Sequence, residues 1–70
     1  MQLKEYEIRQ RIIDLCSQTS QSAVAKQFGV TRAYMSDIVN DKRRISDVIA
    51  DKLGYKMIEL ADRVYIPKKD

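Results

Sequence analysis

A single glycine divides two short apolar patterns in the segment QSAVAKQFGVTRAYMSDIVN, residues 21–40. On both sides of Gly29 the apolar residues recur at the three- and four-residue spacing of a helix that packs on a core. Glycine adopts a left-handed backbone conformation at little cost and often follows the last residue of a helix. Thr19 or Ser20 can cap the first helix, and Thr31 is suited to cap the second. The segment therefore predicts two short helices joined by a tight turn.

The residues around this turn fit a helix-turn-helix, in which two helices cross steeply through a three- or four-residue turn. Such packing requires a small residue where the helices approach most closely, and Ala25 lies four residues before Gly29. Apolar residues surround it and are predicted to fill the core: Val24, Phe28, Val30, Met35 and Ile38. The two helices are predicted over residues 21–28 and 32–40.

The rest of the chain predicts two more helices and a short β element. A helix is predicted over about residues 4–16, with a core stripe of Ile8, Ile12, Leu15 and Cys16. Another is predicted over about residues 46–53 with Ser46 as its N-cap and an apolar face of Val48, Ile49 and Leu53. Residues 55–66 are rich in β-branched and aromatic side chains, which predicts one strand or a hairpin that turns at residues 61–62. The predicted fold is one domain, mainly α with a small C-terminal β element (α+β).

The composition excludes several classes of function. Cys16 is the only cysteine and the chain has no histidine, so neither an internal disulfide nor a four-ligand zinc site is expected. The acidic residues are scattered and no glycine-rich phosphate loop is present, so we expect no enzyme, catalytic residue, metal, cofactor or small-molecule ligand. We interpret Cys16 as a small core residue. Because no apolar run approaches the roughly 20 residues of a membrane span and no signal core is evident, a cytoplasmic protein is expected.

The net charge of +3 is unevenly distributed. Residues 18–44 carry five basic and two acidic side chains, whereas residues 45–62 carry two basic and four acidic ones. Three basic residues follow in the tail, where Lys68 and Lys69 are candidates for contact with a phosphate. This asymmetry favours a polyanionic partner.

Residues 21–40 resemble the helix-turn-helix of the Cro and lambda-repressor-like (XRE-type) regulators, with TRAYMSDIVN as the recognition helix. The resemblance extends to the helix predicted over residues 4–16 and to RRISDVIADKLGY, and it covers roughly residues 4–55. The tail resembles the strand ending of the Cro-like members. The resemblance implies a phage- or prophage-type repressor that binds a near-palindromic operator in double-stranded DNA as a homodimer. Each subunit of such a dimer places its recognition helix in the major groove.

The resemblance also implies roles for individual residues. It assigns base contacts to Arg32 and Ala33, and to Ser36 and Asp37 one turn later. It assigns contacts with the DNA backbone to Thr31 and Gln21. The apolar pattern supports the first assignment independently, because burial of Val30, Met35 and Ile38 turns the four base-contacting candidates away from the core. Arg32 can donate two hydrogen bonds to guanine O6 and N7, whereas Ala33 can only pack on a thymine methyl or allow close approach.

A basic loop, NDKRR at residues 40–44, follows the recognition helix. We expect Asn40, Lys42, Arg43 and Arg44 to contact phosphates, which fixes the register of a protein on DNA without reading sequence.

The sequence allows two roles each for Asp37 and Tyr34. Asp37 either accepts a hydrogen bond from cytosine N4 or forms an ion pair with Arg44 or another nearby basic residue. Tyr34 either packs on the DNA backbone or covers the fourth helix.

The small size of the chain favours association with a second copy. Six residues of the strand region are predicted to form the dimer surface along an open strand edge: Tyr55, Met57, Ile58, Val64, Tyr65 and Ile66. The same residues would otherwise complete the core of the monomer. A second class of function uses the same fold to hold a protein, as an antitoxin or adaptor does. Basic residues beside the exposed face of the third helix favour DNA.

Overall fold

A computed structural model describes residues 2–68 as four helices and a three-stranded antiparallel sheet. In chain order the elements are β1 (Leu3–Lys4), α1 (Glu5–Gln18), α2 (Gln21–Phe28), α3 (Arg32–Val39), α4 (Asp47–Lys52), β2 (Tyr55–Glu59) and β3 (Arg63–Pro67). The predicted α+β class is confirmed, with the four helices near their predicted positions. Within residues 2–68, no helix combines the length and the apolar character that crossing a membrane requires.

The predicted N-caps open three of the helices. The hydroxyls of Ser20, Thr31 and Ser46 accept hydrogen bonds from the backbone N–H three residues later, at 3.1, 3.1 and 3.3 Å. Of the two candidates before α2, Ser20 is the cap, while the Thr19 hydroxyl donates to the carbonyl of Leu15. Each cap satisfies an amide that the helix leaves without a partner, which stabilises the helix by about 1 kcal/mol relative to alanine.

The turn between α2 and α3 closes on Gly29, whose φ of 72° lies in the left-handed region. The Gly29 N–H donates to the carbonyl of Lys26 (3.2 Å), and the Val30 N–H donates to the carbonyl of Ala25 (2.9 Å). This pair of bonds is the Schellman pattern, which ends a helix and reverses the chain. The predicted helix-turn-helix therefore consists of α2, residues 29–31 and α3.

One apolar core joins the helices to the sheet. Its buried residues are Leu3, Ile8, Ile12, Val24, Ala25, Phe28, Met35, Ile38, Ile45, Ile49, Ala50 and Tyr65. All but one of the apolar residues predicted for the helix-turn-helix are buried, and Val30 packs half-buried against the cluster. Cys16 also packs half-buried against the cluster, and burial raises the pKa of its thiol. A raised thiol pKa disfavours the reactive thiolate.

The chain enters this fold through a two-residue strand that the sequence pattern did not predict. Leu3 and Lys4 pair antiparallel with β3, opposite Tyr65 and Val64 respectively, and α1 begins only at Glu5. A two-residue strand is too short to show an alternating pattern in the sequence. The helix predicted over about residues 4–16 corresponds to α1, which begins at residue 5 and continues two residues beyond residue 16.

The strand region forms the hairpin rather than the single strand. β2 and β3 pair antiparallel with Met57 opposite Tyr65, and residues 60–62 connect them. The strand order is β1-β3-β2, so β3 is the central strand.

The predicted apolar face of α4 was wrong at one residue. Val48 is 56% exposed, whereas Ile49 and Ala50 are fully buried. Ile45, which precedes the N-cap, is also fully buried and lies one helical turn before Ile49. Ile45, Ile49 and Ala50 therefore form the buried side of this segment, and Val48 lies outside it.

Candidate nucleic-acid interface

The third helix separates a buried side from an accessible one. Met35 and Ile38 are fully buried. Arg32 and Ala33 are exposed at the start of the helix, and Ser36 and Asp37 are half-buried one turn later. Among the described residues, no hydrogen bond or ion pair engages the Arg32 side chain. The four predicted base contacts are thus accessible, and the Arg32 guanidinium is the one free to donate.

Two predicted backbone contacts lie at helix starts. Thr31 is exposed, and its hydroxyl oxygen accepts from the Tyr34 N–H, which leaves the hydroxyl proton for a phosphate oxygen. Gln21 is half-buried at the first position of α2, directly after the cap Ser20.

The C-terminal end of α3 links two other predicted contacts. Asn40 caps the helix and is exposed. Its side-chain amide donates to the Ser36 hydroxyl at 3.3 Å, and its backbone N–H donates to the Ser36 carbonyl at 3.0 Å. Contact of Ser36 with a base and contact of Asn40 with a phosphate would therefore be coupled.

Arg9 of α1 holds this end of α3 in place, a role that the sequence did not reveal. Its Nε donates to the Ile38 carbonyl (2.9 Å), and its second terminal nitrogen donates to the Arg43 carbonyl (2.9 Å). The other terminal nitrogen lies 3.4 Å from Oδ1 of Asp41, and the Arg9 side chain is only 11% exposed. Its partners lie about thirty residues away in the chain, so no local spacing could indicate them. Arg9 positions the recognition helix and the basic loop relative to each other.

The basic loop follows α3 through a strained residue. Asp41 has a φ of 60°, the left-handed region that non-glycine residues seldom adopt. The next amide, that of Lys42, donates to the Asp37 carbonyl at 2.8 Å. The Lys42 side chain is exposed, and no partner is found for it within residues 2–68. Lys42 is therefore available to a phosphate.

Arg43 is held against α3. Its guanidinium lies over the ring of Tyr34, 4.5 Å from the ring centroid, and its terminal nitrogen lies 3.9 Å from Oδ2 of Asp37. Asp37 therefore forms an ion pair with a nearby basic residue, as predicted, but that residue is Arg43 and not Arg44. Tyr34 serves as a platform for Arg43, a contact that neither sequence interpretation included.

Arg44 pairs with α1. Its Nε donates to both carboxylate oxygens of Glu5, at 3.3 and 3.4 Å. Glu5 also accepts the Ile45 N–H at 2.8 Å. The Ile45 carbonyl in turn accepts from Arg63 (2.9 Å) and from the Tyr65 hydroxyl (3.1 Å). The three basic side chains that were predicted to act alike therefore differ, since Lys42 is free while Arg43 and Arg44 have partners.

The residues predicted for the dimer surface divide into two groups. Tyr65 is fully buried and Val64 is 9% exposed, so both contribute to the core of the monomer. The remaining four are half-buried: Tyr55, Met57, Ile58 and Ile66. Among the described strands, β2 pairs only with β3, which leaves its other edge open. The accessible part of the predicted surface thus centres on β2.

The tail contributes to α4 rather than to the accessible face of α3. Lys68 forms an ion pair with Asp51, and this contact lowers the pKa of the Asp51 carboxyl. Lys69 lies outside the described residues.

Within residues 2–68, no group of three or more histidine, cysteine, aspartate or glutamate side chains is arranged to hold a metal ion. A scan against protein-family models, a search of curated proteins and a search of solved structures each found no significant match to the chain. The inference about function therefore depends on the residues and their geometry.

Proposed function

We propose that this chain is a sequence-specific regulator of transcription that binds double-stranded DNA, of the kind that its resemblance to the Cro and lambda-repressor-like family implies. It acts in the cytoplasm as a phage- or prophage-type repressor. A dimer occupies a near-palindromic operator and blocks access of the polymerase.

The accessibility of Arg32 carries this proposal. Arg32 opens a helix whose opposite side is fully buried through Met35 and Ile38. No partner within residues 2–68 competes for its guanidinium. A guanidinium at the exposed start of such a helix can donate two hydrogen bonds to a guanine in the major groove.

The basic loop supplies contacts with the DNA backbone. Lys42 binds a phosphate beside the recognition helix, together with Asn40, Thr31 and Gln21. These contacts fix the register of the helix, while the exposed side chains of α3 read the bases. The excess of positive charge over residues 18–44 draws the DNA toward this side of the chain.

A homodimer extends the contacts to a second half-site. The open edge of β2 offers backbone groups that a second copy can pair with, and Tyr55, Met57 and Ile58 lie along this strand. The association is weak in free solution and strengthens on DNA, where two adjacent half-sites raise the local concentration.

The alternative, a module that holds a protein partner, requires a different surface on α3. A protein-binding face has an apolar centre with few charges. Ala33 is the only apolar residue among the four side chains on the accessible face, which also carries Arg32 and Asp37. This surface suits the edges of base pairs better than the apolar core of a protein interface.

Selection of bound duplexes from a random pool, followed by titration at several salt concentrations, tests the proposal. We expect an enriched near-palindrome, and a log-log plot of affinity against salt that falls by about 0.9 for each phosphate contacted. Sedimentation with and without the selected duplex reports the dimer. Binding that does not respond to salt, or a pool that shows no enriched sequence, would refute the proposal.

A further inference from the structure

Asp37 is the only acidic residue of α3, and it lies on the accessible face one turn after Arg32. A carboxylate at this position repels the phosphates of an approaching duplex. Base reading by Arg32 and phosphate binding by Lys42 do not require it. The Asp37 carboxylate must therefore have another role on this face.

The contacts of Asp37 point to Arg43. Oδ2 of Asp37 lies 3.9 Å from the Arg43 guanidinium, and the two side chains are 43% and 48% exposed, respectively. The guanidinium is also stacked on the Tyr34 ring at 4.5 Å. A carboxylate and an aromatic face thus hold the same cation against α3.

The backbone contacts make this arrangement specific to Arg43. The Arg43 carbonyl accepts a hydrogen bond from Arg9, so the backbone of Arg43 is fixed beside the end of α3. Arg44, the next residue, is directed to Glu5 instead. Among the described residues of the loop, Arg43 is thus the cation that pairs with Asp37.

A half-exposed ion pair of this length is weak, because solvent screens it on most sides. A phosphate oxygen is an equivalent partner for a guanidinium, since both anions accept its planar fork of donors. The carboxylate of Asp37 and a DNA phosphate are therefore alternative partners of one side chain.

We propose that Asp37 is a positioning residue that competes with DNA phosphate for Arg43 and so limits the affinity of the chain for duplex DNA of any sequence. This inference rests on the proposed function. It reverses the role expected of a residue on the recognition helix, since loss of the Asp37 charge strengthens binding. Arg43, released from Asp37, adds one phosphate contact to those the chain already makes.

The test compares Asp37→Asn with the parent on short duplexes of random sequence. The asparagine keeps the shape of the side chain and removes its charge. We expect tighter binding and a salt slope steeper by about 0.9, so that the ratio of the two affinities grows about 3.5-fold between about 200 and 50 mM salt. Asp62→Asn, which neutralises an exposed carboxylate in the β2–β3 connection, is the control for the change in net charge.

A double-mutant cycle separates competition for Arg43 from simple repulsion of the DNA. In an Arg43→Ala background, we expect Asp37→Asn to leave the salt slope unchanged. An equal gain in both backgrounds would show that Asp37 acts only through its own charge, and would overturn the inference. Weaker binding of Asp37→Asn with an altered preference at one base pair would overturn it too, because Asp37 would then read a base.

A measurement on the free chain keeps the inference distinct from the proposed function. The Tyr34 ring shifts the NMR signals of the Arg43 side chain, and Asp37→Asn should return them toward the values of an unstacked arginine. Unchanged signals would show that Asp37 does not hold the Arg43 side chain on the Tyr34 ring, and would refute the inference even if DNA binding is strong. Absence of salt-dependent binding by the parent, with the expected change in these signals, would refute the proposed function and with it the competition.

Discussion

The Arg9 guanidinium in α1 donates a 2.9 Å hydrogen bond from Nε to the carbonyl oxygen of Ile38, in the last turn of α3. The same group reaches the Arg43 carbonyl and the Asp41 carboxylate. All three nitrogens of a nearly buried side chain are thus used, and each partner belongs to the end of the recognition helix or to the basic loop. α3, the proposed recognition helix, is thus held by a residue outside the helix-turn-helix.

Replacement of Arg9 by lysine should loosen this arrangement. An ammonium cannot reproduce the planar fork that serves three partners, and hydrogen bonds to charged groups contribute about 1.5–3 kcal/mol each. We expect Arg9→Lys to lower the free energy of unfolding by about 2 kcal/mol. It should also weaken DNA binding on all sequences alike. Urea unfolding and titration of selected and random duplexes measure the two effects.

Arg11→Lys is the matched control for this change. Arg11 is an exposed arginine of the same helix, and its guanidinium lies 5.7 Å from the centroid of the Tyr55 ring. We expect its replacement to change the free energy of unfolding by less than about 0.5 kcal/mol. Equal effects of the two lysine variants would contradict the special role of Arg9.

Removal of the Arg32 side chain should relax sequence preference. If Arg32 makes two hydrogen bonds to a guanine, Arg32→Ala costs about 1–3 kcal/mol of binding free energy and abolishes the preference at that base pair. Competition binding with single-base variants of the selected duplex measures this. Lys42→Ala is the comparison, because loss of a phosphate contact weakens binding equally on every sequence. A uniform loss for Arg32→Ala would make Arg32 a phosphate contact.

The turn at Gly29 should tolerate the size of a side chain but not its conformational preference. A Cβ built at Gly29 meets no atom within 4 Å, yet the φ of 72° is unfavourable for L-residues. We expect Gly29→Ala to lower the free energy of unfolding by about 1–2 kcal/mol, and Gly29→Asn to lower it less, because asparagine adopts this conformation more readily. Thermal and urea unfolding rank the two variants against the parent. A loss for asparagine as large as that for alanine would contradict a cause in the backbone conformation.

Alkaline pH should destabilise the chain through Tyr65. Burial raises the pKa of the Tyr65 hydroxyl, and the negative charge of Glu5 raises it further. The folded state therefore retains a proton that the unfolded state releases, so stability is unaffected by this group below the unfolded pKa of about 10 and falls as pH rises above it. Urea unfolding at a series of pH values from about 8 upward measures the fall.

Tyr65→Phe isolates this contribution. Phenylalanine loses the hydrogen bond to the Ile45 carbonyl, which costs about 1 kcal/mol near neutral pH. It also loses the ionisable group, so the alkaline fall in stability should be smaller than in the parent. An identical alkaline fall in both proteins would show that another group causes it.

The sequence predicted the features that depend on neighbours in the chain. The spacing of Ala25, Gly29 and Thr31 indicates a turn between two helices, and each of these residues has the predicted local role: small core residue, left-handed end of a helix, and N-cap. The accessible face of α3 follows from the same periodicity, because burial of Met35 and Ile38 leaves the opposite side outside.

The features that it did not predict depend on partners far away in the chain. The sequence did not indicate the role of Arg9, and it predicted a phosphate or Asp37 as the partner of Arg44. The observed partners, near Ile38 and at Glu5, are contributed by other elements. Val48 fits an apolar pattern as well as Ala50 does, and only the position of Ile45 in the core decides between them. Periodicity identifies a face but not what the face meets.

The pairing of β1 with β3 joins two segments that lie far apart in the chain. Leu3 and Lys4 leave the ribosome before the four helices described above, whereas their partners Tyr65 and Val64 emerge after them. Contacts between such distant segments form slowly, because a long loop must close before they contribute. The helices can thus associate before Leu3 pairs with Tyr65. We therefore expect closure of the sheet to follow association of the helices, which carry the proposed DNA-binding face.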